Sequence, residues 1–271
     1  MVSIALLGTG CDRVFGIAPL SGTWRDASGP PVGAQCPALG GTPRFEPVTF
    51  EAIPQACYNY SASAVAGRAV ASCVRDSRLT IEEGPVEGPL EEASITPTVL
   101  DANLDRPGLS PEGDHLVVRQ FTPDVNRFSW FVRDGNGWRA EADIVDTTNF
   151  LTSVGVPSRG PEHRIIAADQ LGFRELRLTD PTWTEVRSQS WEDLGVGFGN
   201  QLNLSPDGLR MTFVTQQAVM YADRESLEVP FVTARTIESV SSMLGVFLVE
   251  DCERIYFSGL EAIQFRYLAD P

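Results

Sequence analysis

An all-β fold built from repeated four-stranded units is what this 271-residue sequence predicts, on three observations. Short apolar alternations such as Leu79-Thr80-Ile81, Leu116-Val117-Val118, Phe128-Ser129-Trp130 and Ile255-Tyr256-Phe257 are each bounded by Gly, Pro, Asp or Asn, with no convincing helical period between them. One decamer, from Leu204 to Phe213, reads as strand, turn and strand. It recurs at starts near residues 62, 109, 158, 204 and 248, in steps of 44 to 49 residues. A hairpin period in the forties without helices is the mark of a β-propeller, because a four-stranded sheet cannot keep both faces dry alone and must stack on its neighbours around an axis.

The turn of the decamer is legible residue by residue. Pro206 presets φ at the second position, Asp207 tolerates the bridge region, and Gly208 relieves the exit from the turn that Ser205 opens. Leu109-Ser110-Pro111-Glu112-Gly113 repeats it with one conservative change, and the copy from Leu248 keeps Asp251 but places Cys252 where glycine is expected. Weaker copies run over residues 62–71 and 158–167. Trp130 to Asp134, Leu176 to Asp180 and Val219 to Asp223 read as third strands, followed by outer strands at Trp138, Trp183 and Phe231.

The Leu-Ser-Pro-Asp-Gly form of the turn resembles the repeat of the TolB-like, WD-repeat-like bacterial propellers, in which it joins the innermost strand of a blade to the second. The resemblance is good at 109 and 204, partial at 248, and covers the chain from about residue 50. It implies a propeller of four-stranded blades. Five blades fit the length best, and six, the usual number in that family, is the alternative. The last unit stops short of its outer strand, and Gly22-Thr23-Trp24-Arg25, which is similar to Gly137-Trp138-Arg139, is expected to close the ring and cover that edge. The expected organisation is a leader and tether over residues 1–21 and one propeller over 22–271, with an irregular Pro/Gly-rich segment at 26–47.

Composition narrows the chemistry. A net charge of -15 and a pI near 4.5 repel phosphate backbones, so no nucleic acid is expected as a partner. All 21 basic residues are arginine, which removes Schiff-base lysines and phosphate loops of the Walker type. Leu6-Leu7-Gly8-Thr9-Gly10-Cys11 resembles the end of a lipoprotein signal, with Cys11 the residue to be lipidated, and membrane contact is expected through that lipid alone. The leucine is one residue out of register and a basic leading segment is lacking. Four cysteines then remain for an oxidising compartment. Cys57 and Cys73 lie symmetrically about the first hairpin turn and could face one another. Cys36 and Cys252 would pair by elimination.

Other motifs are weaker. Asp101-Ala102-Asn103-Leu104-Asp105 with Glu112 has calcium-loop spacing, but Arg106 stands where glycine is required. His115 and His163 sit just before inner-blade strands and are too few for a zinc site. Glu82-Glu83 and Glu91-Glu92 read as a solvated loop, and Asp134-Gly135-Asn136-Gly137 as a plain turn. No nucleophile elbow is present. Without a catalytic constellation, no cofactor and no metal are expected. The expectation is an exported, monomeric, non-enzymatic binding or scaffold module of the cell envelope, meeting a protein or envelope partner through its rim loops. A propeller-type glycosidase or lyase using rim carboxylates, and a small-ligand or metal-ion receptor, are the alternatives.

Overall fold

In the computed structural model, residues 50–53, 57–144, 153–155, 163–179, 182–239, 245–248, 254–258 and 263–267 are described, and the strands they form belong to one compact unit, Pro31–Pro271. They build five sheets, antiparallel but for one short added strand, in an all-β, propeller-like arrangement. The first sheet runs β2 (Cys57–Ser63), β3 (Arg68–Arg75), β4 (Arg78–Pro85) and β5 (Glu91–Glu92). The second runs β7 (Asn103–Leu109), β8 (His115–Phe121), β9 (Asn126–Asp134) and β10 (Gly137–Ile144), with the short β6 (Ser94–Ile95) added parallel to β10.

The third consists of β11 (Ser153–Val154), β12 (Arg164–Ala168), β13 (Gly172–Thr179) and β14 (Thr182–Ser190). The fourth consists of β15 (Asn200–Leu204), β16 (Arg210–Val214), β17 (Ala218–Asp223) and β18 (Arg235–Ser239). In the fifth, β19 (Gly245–Leu248), β20 (Arg254–Ser258) and β21 (Ile263–Tyr267) are joined at the outer edge by β1 (Phe50–Ile53).

The core is five thin apolar layers, each between neighbouring sheets. On β3, Val70 packs with Leu109, Leu116 and Phe131 toward the second sheet. Its neighbours Ala69 and Ala71 pack with Phe247 and Tyr256 of the fifth. Further layers gather around Trp130 between the second and third sheets, Trp191 and Phe213 between the third and fourth, and Val219 and Ile255 between the fourth and fifth. Strands buried on both faces read as nearly continuous apolar runs, which is why β8 and β12 show little alternation.

The repeated turns take the expected form. The Gly208 amide donates to the Ser205 carbonyl at 2.8 Å and the Gly113 amide to the Ser110 carbonyl at 2.9 Å, each glycine at positive φ. The serine hydroxyl in each accepts the amide of the residue that opens the next strand, Arg210 or His115. Pro111, Pro206 and Asp207 stand inside these turns, and Asp251 lies outside the described residues.

Two expectations are corrected. The outer position of the fifth sheet is occupied by Phe50–Ile53, in register with β21 through Phe50 opposite Phe265, and not by residues 22–25, which lie outside the described residues. The physical reason is reach: a strand ending at Ile53 leads straight into β2, joining an outer strand to the next inner one as elsewhere in the chain. Glu82 and Glu83 are not in a solvated loop but on β4, where Glu82 is 2% exposed. Arg75 and Arg133 neutralise the two carboxylates, so the sheet can hold them.

Candidate functional site at the axis

Three innermost strands share one irregularity. In β2 the register slips between Tyr58 and Ser61, in β7 between Asp105 and Gly108, and in β15 between Asn200 and Asn203. In each, two residues oppose one on the neighbouring strand, a β-bulge whose first residue is left-handed. Those residues are Asn59, Arg106 and Gln201, with φ of 55°, 52° and 54°. A left-handed bulge favours glycine, and a side chain there costs on the order of 1 kcal/mol or more. At the same step of the repeat, the other two inner strands carry Gly155 and Gly245.

The bulges turn their residues toward a common space. A small cavity, with about 20 Å³ of room for a water-sized group, is lined by Asn59 and Tyr60, by Arg106, by Ser153, by Gln201 and Asn203, and by Val246. Every one of the five inner strands therefore contributes. The Arg106 guanidinium of the second sheet donates to Asn200 Oδ1 of the fourth at 3.3 Å. Those sheets are not consecutive, so the bond joins inner strands that do not pack side by side. Backbone donors hold the walls: the Arg106 amide donates to Ser72 Oγ at 2.9 Å and the Leu109 amide to Ser61 Oγ at 3.0 Å, tying the first sheet to the second.

Charge in the site is unbalanced. Asp105, 5% exposed, is held by Arg119 at 2.8 Å. Among the described residues no carboxylate lies within ion-pair distance of Arg106, so two guanidinium groups share one carboxylate. Burial, with Arg119 beside it, pulls Arg106 down to about 10. Burial pushes the Asp105 carboxyl up, against the pull of Arg119 and Arg106. Burial and the Asp105 charge likewise raise the Tyr58 phenol. Asn59 Oδ1 and Ser153 Oγ are buried with no hydrogen-bond partner among the described residues.

The residues singled out in the sequence fall elsewhere. Cys57 and Cys73 are directly opposite on β2 and β3, and their sulfurs are bonded. Cys11, Cys36 and Cys252 lie outside the described residues. Among those described, the one cluster with metal-binding geometry is Cys57, Cys73 and Glu82, and its cysteines are consumed by that bond. His115 and His163 do meet, with ring centroids 4.5 Å apart and both against Trp130. His115 Nδ1 lies 2.7 Å from Asp114, and burial followed by the nearby His115 lowers His163. Asp101 to Glu112 forms no loop around an ion, since Asn103 to Leu109 is β7 itself.

Arg68, Arg164, Arg210 and Arg254, with His115, open the second strand of each sheet. Their carboxylate partners are Glu83, Glu175, Asp223, Glu87 and, for the histidine, Asp114. The axial residues were missed because a bulge has no motif. The available signal was positional: three residues before each repeat start stand Asn59, Arg106, Gly155, Gln201 and Gly245, two of five being glycine.

No protein-family model matches this sequence, and no characterised protein matches it by sequence alone. Solved structures share the fold. A gluconolactonase from Xanthomonas campestris is similar over 84% of this chain and 95% of its own, at 10% identity and a TM-score of 0.49. A protein of unknown function from Desulfotomaculum acetoxidans is similar over 75% of this chain and 62% of its own, at 10% identity and a TM-score of 0.50. TolB from Acinetobacter baumannii is similar over 79% of this chain and 54% of its own, at 12% identity and a TM-score of 0.46. At 10–12% identity these are likenesses of fold alone.

The expectation of a non-enzymatic scaffold is overturned. It rested on the absence of a linear motif, which never excluded an enzyme, and all five inner strands bring polar residues to one cavity. In a propeller the site is assembled across sheets, from residues a whole repeat apart in sequence.

Proposed function

We propose that the five sheets are the blades of a closed five-bladed ring and that the chain is an enzyme of the propeller type. It works by acid–base chemistry on a small molecule held at the axis. The observation that carries this reading is the convergence of all five inner strands on one cavity, with bulky polar residues at bulge positions that favour glycine. Strain of that kind collects where geometry serves a ligand. The gluconolactonase likeness is one of fold and lends no substrate.

Arg106 orients the bound molecule and neutralises charge as it develops. Asp105 does not itself line the cavity but precedes Arg106 in β7, and as a carboxyl raised by burial it is assigned the proton acceptor and donor role. A glycosidase needs a second carboxylate within about 5–10 Å. Among the described residues no carboxylate lines the cavity, and Asp105 beside Arg106 has no second one in the lining to work with, so a lyase or another single-base reaction is favoured. The full chain, incubated in deuterated water with panels of hydroxy-acids, esters and lactones and followed by proton NMR, will turn over or exchange at least one class. Asp105→Asn will lose that activity while still binding. Equal activity in that variant contradicts the assignment, as does inertness of the wild type toward every class.

Export, with a lipid on Cys11, is part of the same proposal. The run of small residues before Cys11 supports it, as does the Cys57–Cys73 bond, which suits an oxidising compartment. Palmitate labelling that Cys11→Ala abolishes is the expected result, and labelling that persists in the variant removes the anchor.

A further inference from the structure

We infer that His115 and His163 together ligate a divalent transition-metal ion, best fitted by Cu²⁺, in the partly open seam between the second and third sheets. The site stands apart from the axial cavity and does not depend on the axial reading. Three observations carry it.

The first is geometry. The rings come from different sheets, His115 opening β8 and His163 directly preceding β12, and their centroids lie 4.5 Å apart at an interplanar angle of 53°. Two metal–nitrogen bonds of about 2.0–2.1 Å at a right angle put imidazole centroids about 4.5 Å apart, and at the tetrahedral angle about 5 Å. The pair is therefore spaced for neighbouring corners of a tetragonal site, the geometry of Cu²⁺ and Ni²⁺. Solvent reaches it, because both rings are only partly buried, the His115 side chain being 19% exposed.

The second is the state of the ring nitrogens. His115 Nδ1 donates to Asp114 Oδ1 at 2.7 Å, and the hydroxyl of the buried Ser110 donates to the same oxygen at 2.9 Å. A carboxylate held on one ring nitrogen fixes the tautomer and leaves the Nε2 lone pair to act as a ligand, the support that metal-bound histidines ordinarily have. His163 has no hydrogen-bond partner for either ring nitrogen among the described residues, although it packs against His115 and Trp130. Packing alone would be served as well by a phenyl ring.

The third is charge. The carboxylates of Asp114, Glu112 and Glu141 all act on the His163 ring, in a chain of net charge -15. Neutral nitrogens inside a negative field draw a divalent cation, and nitrogen donors select a transition metal over Ca²⁺ or Mg²⁺. Two histidines are too few for a closed zinc site of four protein ligands, but an exchangeable ion with water in its other corners needs no more.

Calorimetry on the untagged full chain at neutral pH, with Cu²⁺, Ni²⁺, Zn²⁺ and Ca²⁺ as probes, tests this. One Cu²⁺ is expected per chain, with Ni²⁺ and Zn²⁺ at least tenfold weaker and Ca²⁺ not measurable. His115→Phe and His163→Phe keep an aromatic ring in the seam and should each weaken Cu²⁺ at least tenfold. Asp114→Asn, which loosens His115 without removing a ligand, should weaken it about tenfold. Pulsed electron paramagnetic resonance of the Cu²⁺-loaded wild type should count two imidazole nitrogens, which in a chain with two histidines come from these residues alone. Circular-dichroism melts of the metal-free variants separate lost binding from lost folding, and where a variant fails to fold the imidazole count on the wild type decides. Equal Cu²⁺ binding in the wild type and both Phe variants overturns the inference, as does a signal with one imidazole or none. Ca²⁺ binding as tightly as Cu²⁺ assigns the ion to the carboxylates and overturns it too, and so does the absence of binding by every probe.

Discussion

Among single residues, Glu175 is the most heavily engaged carboxylate described. Arg224, fully buried, meets it at 2.8 and 2.9 Å, Arg164 at 3.2 Å and Arg187 at 3.7 Å, binding the third sheet to the fourth. Burial alone would raise its carboxyl, but Arg224 and Arg164 outweigh burial and hold it below the ordinary range. Glu83 is lowered in the same way, with Arg133, Arg68 and Trp138 overcoming its desolvation. Glu175→Gln leaves Arg224 buried without its counter-charge, and chemical denaturation should show a loss of about 3–5 kcal/mol. A loss under 1 kcal/mol would mean that the network is relaxed by water.

The sign of the pH dependence follows from the same two carboxyls. A folded value below the unfolded one gives stability that is complete above the unfolded value, near 4.3, and is lost as pH falls through the folded value. Thermal melts should therefore fall shallowly below neutrality, where the half-buried His163 must take up a proton, and steeply below about pH 4. Melts that rise on acidification would contradict the assignment.

At the scale of elements, hairpins and bulges divide the labour. The turns were readable because Pro206, Gly208 and Gly113 each answer a backbone requirement that leaves a trace in sequence. The Cys57–Cys73 pair was readable because antiparallel register maps sequence symmetry onto space. A sequence separation of 16 closes a loop for which the chain-entropy model gives about 3 kcal/mol. Reduction, or the paired Cys57→Ala and Cys73→Ala change, should lower the denaturation midpoint accordingly, with an unchanged midpoint as the contrary result.

The bulges were not readable, since Asn59 and Gln201 share an amide that Arg106 lacks, and only the left-handed backbone unites all three. If that backbone is strained for function, Arg106→Gly should raise stability by about 1 kcal/mol or more, relieving the left-handed φ and removing a desolvated charge. A drop in stability would show Arg106 to be structural.

At the scale of the molecule, the repeat fixed the architecture and left the function open. Steady spacing reports that each unit must bury two faces, and the five interlayer cores are that demand met. The outer edge of the fifth sheet was misassigned because Trp24 was weighed by its likeness to Trp138, when proximity of Phe50–Ile53 to β2 was the stronger constraint. Deleting residues 50–53 should expose the edge of β21 and lower the melting temperature far more than trimming upstream of residue 49.

The central claim, five sheets that close into one ring, is tested most directly by a crystal structure of the chain. The account predicts five sheets with β1 on the outer edge of β21 and β2 packed beside β19. A different number of sheets, or water between β2 and β19 where apolar packing of Ala69, Ala71, Phe247 and Tyr256 is expected, contradicts it.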